Sequence, residues 1–472
     1  MKKQIKTNTN IQNGKNDQQF REYESRWVTF AGYIIITLTY SAVQGVFNAI
    51  NSQVSKIYDI NPVVVSLNTL ASNITFLPMS FVASFLMQKI GLRFTIWVSC
   101  AMMVAALWIR LLINHEYYSV LGAHILLGIG LPLNQNMMNN LPIIWFKQQN
   151  RRKIFLFCML GLLLGQILSS ILPGLMLNGY DIDQDALNNY SGGRDKIYQI
   201  VCIEAYIGTP LAFIGCIMFQ EKPPTPPSIE ADKEKQPFGP QVKQTLKNKN
   251  YLLLFASYGI FSGCTGGASV VLSYILTSFG YGSEVTTYCS NVATIAGVIG
   301  LRRGMRYLKK NPNYKKHLIA SVLVTAIGYG IAIPILPIEN QPLLILPYAV
   351  IGLLAIHSSP LFLMLSSELT YPVDPSISGG LLSGSASLMN FVFGETYSAI
   401  MINETKTRAI LVYIIQVICL GIALLILLPL NIQLNRTEAE IQIQQQQEIQ
   451  IQQQQEIQSQ QLNKNRRVYK ES

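Results

Sequence analysis

Apolar residues fall in twelve runs: about 27–50, 62–88, 94–113, 118–146, 154–177 and 200–219, then 251–279, 285–300, 318–336, 343–367, 377–402 and 410–430. Roughly 20 helical residues cross a ~30 Å hydrocarbon core, so these runs predict membrane spans. One polar stretch separates the first six from the last six. It reads EKPPTPPSIEADKEKQPFGPQVKQTLKNKN, residues 221–250, and holds six Pro and six Lys. Proline removes backbone donors and fixes φ, which excludes a span there. A solvated linker with a short amphipathic helix near Val242 is predicted instead. The whole pattern predicts an all-α polytopic membrane protein of twelve transmembrane helices in two six-helix halves. Its parts are a disordered N-terminus (1–26), a six-helix domain (27–220), the linker (221–250), a second six-helix domain (251–430) and a Gln-rich tail (431–472). The tail repeats EIQIQQQQ from Glu440 and Glu448. An eight-residue period fits neither a ~3.5 nor a ~3.6 repeat, so disorder is expected there rather than a coiled coil.

Composition agrees with this class. Half the residues are apolar and 13% are charged, against about 25% in soluble domains. A net charge of +11 would point to nucleic acid in a soluble chain. Here Lys and Arg sit between the runs, so the partner is a lipid bilayer and no nucleic acid is expected. Loops on the N-terminal side carry nineteen Lys/Arg and the opposite loops five, which predicts that both termini are cytoplasmic. The choice between the plasma membrane and an internal membrane stays open. Two glycosylation sequons, at Asn189 and Asn403, fall in the opposite loops. No signal peptide precedes the first run, so that run is expected to act as its own insertion signal. All seven Cys lie inside apolar runs and are expected to pack as small apolar residues, not to form disulfides or a zinc site. The chain has no P-loop, HExxH or GxSxG motif, so neither an enzyme nor a cofactor is expected.

Six runs, a basic linker and six runs imply a transporter. Ile90-Gly91-Leu92-Arg93 and Ile299-Gly300-Leu301-Arg302 close the second run of each half. That correspondence suggests a duplicated six-helix unit, as in major facilitators. QKIGLRF (88–94) also resembles the loop that major facilitators share after their second span. FLPMSFVASFLMQKIGLR (76–93), IIWF (143–146), EKPPTPPS (221–228), SYGIFSG (257–263) and ELTYPV (368–373) are similar to the feline leukaemia virus subgroup C receptor-related transporters, solute carrier family 49. The resemblance spans about Arg26 to Leu430. It implies a monomeric facilitator that carries choline, ethanolamine or a related amine by alternating access, with haem or another metabolite as the other cargo of that family. Gly91 and Arg93 stand at the shared loop motif. The acidic residue of that motif is Gln88 here, which implies an altered contact between helices. The family's first-span Gln corresponds to Gln44 and its fifth-span Gln to Gln166, and Ser387 stands where the eleventh span has Gln. Two aromatics that look like an ammonium cage in the family are replaced here by Gly45 and Gly266.

Amides inside apolar runs are the main functional signal, because facing lipid is unfavourable for them. Gln44, Asn48, Asn73, Asn136, Asn140, Gln166, Asn291 and Asn390 are the candidates for substrate contacts, together with Ser387; bonds between helices are the structural alternative. Ionisable residues within runs are fewer. Glu395 and His357 are candidates for coupling, and Glu368, Gly91 and Arg93 for gating. His124 and Glu204 also lie inside runs. Gly259, Gly263 and Gly267 share one helix face and are expected to allow close packing. A different class, a non-transporting membrane receptor or scaffold that uses the Gln-rich tail, stays open at this level.

Overall fold

The computed structural model describes residues 23–177, 190–227, 237–310, 313–432, 434–439, 442 and 445. Asn189, most of the N-terminal segment and most of the Gln-rich tail lie outside the described residues, as do the predictions made for them. The described residues form helices joined by short turns: α1 (Ser25–Gly45), continued as a 3-10 turn over Val46–Ala49, α2 (Asn51–Tyr58), α3 (Pro62–Lys89), α4 (Leu92–Arg110), α5 (Tyr118–Gln135), α6 (Met137–Trp145), α7 (Gln148–Met176) and α8 (Ser191–Met218). Then follow α9 (Phe238–Lys247), α10 (Lys249–Thr277), α11 (Ser283–Lys310), α12 (Tyr314–Ile335), α13 (Gln341–Leu369), α14 (Pro375–Ile400) and α15 (Lys406–Leu427).

Local chemistry explains several boundaries. Asn61 accepts a bond from the Val63 amide and precedes Pro62, and Asp374 does the same for Ser376 before Pro375. A short polar side chain followed by proline is a strong start signal, because proline's missing donor is one the first turn leaves open anyway. Asn248 and Asn340 cap α10 and α13 in the same way. The expected fourth span breaks at Asn136, where Asn139 bonds back to Asn136 across three residues. Pro142, one turn further on, has no amide to donate. Helix α9 matches the amphipathic helix expected near Val242. Its Phe238 and Val242 pack against Val373, Ile377 and Leu381, and Gln241 accepts a bond from the Asp374 amide at 2.8 Å.

Among the described residues, nine helices are long and apolar enough to cross a membrane: α1 with its 3-10 turn, α3, α4, α7, α8, α10, α12 (with the turn after it), α13 and α15. Helices α5, α11 and α14 fall short. Helix α5 stops at Asn134-Gln135, α11 runs on through Arg302, Arg303 and Arg306, and α14 is rich in Ser and Gly. Large apolar side chains project outward, such as Leu175 at 70% exposure and Ile217 at 76%. That arrangement suits a surface wetted by lipid.

Helices before the linker pack mainly on one another, as do those after it, and α3–α14 and α7–α11 are the broad contacts between the two groups. The Gly259, Gly263 and Gly267 face lies against α14. A β-carbon on Gly263 would sit 2.3 Å from Met389 Cβ, and one on Gly267 2.7 Å from the Gly394 nitrogen, so the face serves close packing.

The two Ile-Gly-Leu-Arg segments are not structural counterparts. Gly91 begins α4 with φ +113, a region that side chains with a β-carbon rarely enter. Gly300 lies inside α11, where a β-carbon would come within 1.8 Å of the Leu353 carbonyl oxygen. One glycine makes a turn and the other lets α11 and α13 touch, so this match does not support the duplicated unit.

The altered contact expected at Gln88 has a visible substitute. Glu221, at the start of the linker, accepts bonds from the Leu92 and Arg93 amides at 2.7 and 2.6 Å. A carboxylate on two open amides at a helix start is favoured by hydrogen bonding and by the helix dipole. The Arg93 guanidinium lies over the Trp97 ring at 4.9 Å. Glu221→Gln keeps the shape and weakens this cap. It is expected to lower stability by about 1 kcal/mol, readable as a lower Tm of the purified protein.

Candidate functional site

A cavity of about 480 Å³ lies between the two groups of helices. Six of the expected amides reach it: Gln44 from α1, Asn48 from the 3-10 turn, Asn73 from α3, Gln166 from α7, Asn291 from α11 and Asn390 from α14. These elements approach from both sides of the linker, so the chain's distant parts meet at one polar surface. Phe261, Tyr329, Tyr348 and Tyr413 add aromatic surface. No charged side chain lines the cavity among the described residues.

The amides differ in how they are held. Gln44 donates to Ser72 Oγ at 3.1 Å, and Asn291 accepts from Ser170 Oγ at 2.8 Å. Gln166 is exposed within the bundle. The side-chain oxygens of Asn48 and Asn390 are buried and have no protein partner. A buried acceptor left unpaired is unfavourable by about 1–3 kcal/mol, and both residues border the cavity.

The remaining candidates whose side chains are described lie elsewhere. Asn136 is buried and donates to the Ser80 carbonyl, Ser80 Oγ and Ser84 Oγ. It joins α3 to the break after α5, which is the bonding role that amides in spans also serve. Asn140 points its amide at Met87 Sδ, 3.7 Å away. Ser387 is half-buried on α14 and does not line the cavity. Glu395 lies on α14 outside the cavity lining, with one buried carboxyl oxygen that has no protein partner. His357 lies on α13, and its side chain is outside the described residues. Glu368 ends α13 and accepts two bonds from Thr437, from its amide at 3.0 Å and its hydroxyl at 2.8 Å. It therefore ties the start of the tail to the helix bundle. Gly91 and Arg93 sit at the α3–α4 turn described above, away from the cavity.

Both glycines that replace the resembling family's aromatics border the cavity. A β-carbon on Gly45 would meet Ser169 Oγ at 2.4 Å, and one on Gly266 would meet Asn390 Nδ2 at 2.8 Å. Polar groups occupy the space where larger side chains would stand.

The stretch 51–61, expected to be a loop, is helical over Asn51–Tyr58 and docked. Helix α2 has Asn51 and Ser52 buried. Asn51 donates to the Val270 carbonyl at 2.9 Å, and the Tyr274 hydroxyl donates to the Asn51 carbonyl at 3.2 Å. Ser52 donates to Glu404 Oε1 at 3.4 Å, and Lys56 lies 3.8 Å from Glu404 Oε2. Burial raises the Glu404 carboxyl above its ordinary range, against the opposing pull of Lys56 and Ser52. The docked arrangement thus binds a proton more tightly than a solvated Glu404 would. Docking is expected to strengthen as pH falls through that raised value and to weaken as pH rises through it. The part of the Tm change between pH 4 and 7 that belongs to this group should vanish in Glu404→Gln.

Among the described residues, a helical bundle with a polar cavity between its two helix groups is the architecture a membrane transporter needs. Residues 30–394 match the family model described as Major Facilitator Superfamily, and the chain belongs to that family. It is 24% identical over 405 residues to the choline/ethanolamine transporter flvcr2b of Danio rerio, covering 83% of this chain and 81% of the relative. It is 25% identical to solute carrier family 49 member A3 of Xenopus tropicalis, over 79% of this chain and 78% of that protein. The fold is shared with a bacterial homologue of the lysosomal transporter Spinster in an inward-facing, unoccupied conformation, at TM-score 0.65 and 10% identity, covering 86% and 97% of the two chains. The transporter FucP in its outward conformation gives TM-score 0.64 and 11% identity, with 87% and 100% covered.

Proposed function

We propose that this protein moves a small polar amine alcohol of the choline or ethanolamine class across a membrane by alternating access. The observation that carries the reading is the convergence of six amides from both helix groups on one cavity of about 480 Å³. A hydroxyl on the solute donates one bond, enough for the open oxygen of either Asn48 or Asn390. Aromatic residues border the cavity, and an ammonium held against ring faces is attracted without a counter-charge. Relatives named choline/ethanolamine transporters support the class.

In this reading twelve spans form two six-helix halves, 27–220 and 251–430, around the site, with 221–250 as the linker. Helices α5 and α6 together make the fourth span, and α11 and α14 make the eighth and eleventh. Both termini face the cytoplasm and the working unit is a monomer. Asn136 and Asn140 hold helices together, and Gln44, Asn48, Asn73, Gln166, Asn291 and Asn390 contact the solute.

Gln166→Ala removes a cavity amide that makes no other visible bond. Loss of one hydrogen bond, about 1–1.5 kcal/mol, is expected to lower the ratio of maximal rate to KM roughly tenfold. Unchanged transport would remove Gln166 from the site. A second reading, a different small polar solute, is favoured by Gly45 and Gly266, whose surroundings are polar where the resembling family has aromatics. Competition of choline uptake by unlabelled polar metabolites separates the two.

A further inference from the structure

A charged cluster lies behind the cavity wall and takes no part in its lining. Arg110, the last residue of α4, is fully buried. Its Nη1 donates to Glu204 Oε2 on α8 at 3.1 Å and to the Val43 carbonyl on α1 at 2.9 Å. Its Nη2 lies 2.9 Å from His124 Nε2 on α5. The other ring nitrogen of His124 lies 2.9 Å from the Val120 carbonyl. A carbonyl only accepts and a guanidinium only donates. His124 is therefore neutral, with its proton on Nδ1 and its lone pair toward Arg110. The guanidinium also lies 5.6 Å from the centre of the Phe47 ring, and that ring meets His124 edge to face.

The two residues of the first span that this cluster grips are Val43 and Phe47. Between and beside them stand Gln44, Gly45 and Asn48, which line the cavity. Here α1 ends and a 3-10 turn begins. The Val43 carbonyl is one of the last four of α1, the ones that an α-helix leaves open. A cation at that end also suits the helix dipole. One face of the segment is thus tied to three other helices, and the opposite face presents amides to the solute.

We propose that Arg110 is a positioning residue of the transport site: by holding the Val43 carbonyl and the Phe47 ring, it sets where Asn48 and Gln44 stand. The Arg110–Glu204 pair makes the grip rigid, and neutral His124 completes it. This rests on the reading of the cavity amides as the solute site, and the test separates the two.

Four variants are compared with the wild type for labelled choline uptake in proteoliposomes: Arg110→Lys, Asn48→Ala, their combination, and Arg110→Met with Glu204→Leu. The last removes both charges at once, which is often neutral for stability. Expected results are a KM raised about tenfold in Arg110→Met/Glu204→Leu and about threefold in Arg110→Lys, with maximal rates within twofold. The combination of Arg110→Lys with Asn48→Ala should fall short of the sum of the two single effects, since the part that acts through Asn48 is already lost and only the part through Gln44 remains. A wild-type KM in folded Arg110→Met/Glu204→Leu, or additive effects in the combination, overturns the positioning role. An unchanged KM in Asn48→Ala overturns the reading of the amides instead.

A second measurement needs neither transport nor that double variant. Asn48→Cys is made with and without Arg110→Lys, and labelling of the introduced thiol by a small reagent is followed by mass spectrometry. A rate changed at least threefold by Arg110→Lys is expected, and an equal rate overturns the proposal.

Discussion

Gly300→Leu is expected to leave no folded, transport-competent protein. A β-carbon at this position would lie 1.8 Å from the Leu353 carbonyl oxygen. Backbone cannot rotate away as a side chain can, so α11 and α13 would have to separate. The reciprocal contact is as close, because a β-carbon on Gly352 would lie 1.9 Å from the Ala293 carbonyl oxygen. Overpacking in a closely packed interior is unfavourable by about 1–3 kcal/mol and sometimes more. Gly300→Ala, which adds that β-carbon, should show the upper part of that range as a reduced Tm in detergent, and Gly300→Leu should be lost during purification. Gly421 is the control. It lies in α15 with nothing within 4 Å of its would-be β-carbon. Gly421→Ala should be neutral or stabilising by up to about 1 kcal/mol, as alanine is the better helix former.

Glu204→Leu is expected to destabilise the protein by about 3–5 kcal/mol, the usual effect of stripping a buried charge of its partner. The sign of the comparison with Glu204→Gln follows from the chemistry of the partner. A guanidinium stays charged in proteins, so Arg110 cannot relieve its burial by losing a proton. A leucine at 204 offers it nothing, whereas a glutamine still offers an amide oxygen. Glu204→Gln should therefore fall well short of the leucine variant. Thermal unfolding of both, beside the variant with both charges removed, measures the difference. Equal Tm values for Glu204→Leu and wild type would mean that the pair contributes nothing to the fold.

The membrane class of the fold was legible from the runs of apolar residues, whereas the Asn61-Pro62 and Asp374-Pro375 helix starts were recognised only in the structure. Amides in those runs were visible as out of place, but a sequence does not say which face of a helix turns inward. Gln44 and Asn136 carry the same signal. One reaches the cavity and the other binds Ser80 and Ser84. Helix α2 was hidden because its short, polar sequence reads as a loop, and only its docking on α10 buries Asn51 and Ser52. Glu221 was hidden because its partners, Leu92 and Arg93, stand far away in the chain.

Arg110 was the main omission among ionisable residues. It lies inside the third run, and Glu204 and His124 had each been noticed in theirs. Three ionisable groups in three neighbouring spans were the available signal for a buried network. The matched Ile-Gly-Leu-Arg segments misled for the opposite reason. Identical letters serve a turn at Gly91 and a helix crossing at Gly300.

The most direct test of the account is uptake of labelled choline into proteoliposomes of the purified protein, with and without a pH gradient. Among the described residues the cavity is lined by amides and aromatic rings and by no carboxylate or imidazole, which predicts saturable uptake that the gradient leaves unchanged. No uptake above empty liposomes by protein shown to be folded would contradict the proposed cargo. Uptake that depends on the gradient would contradict a site without titrating groups and would turn attention to Glu395 and His357.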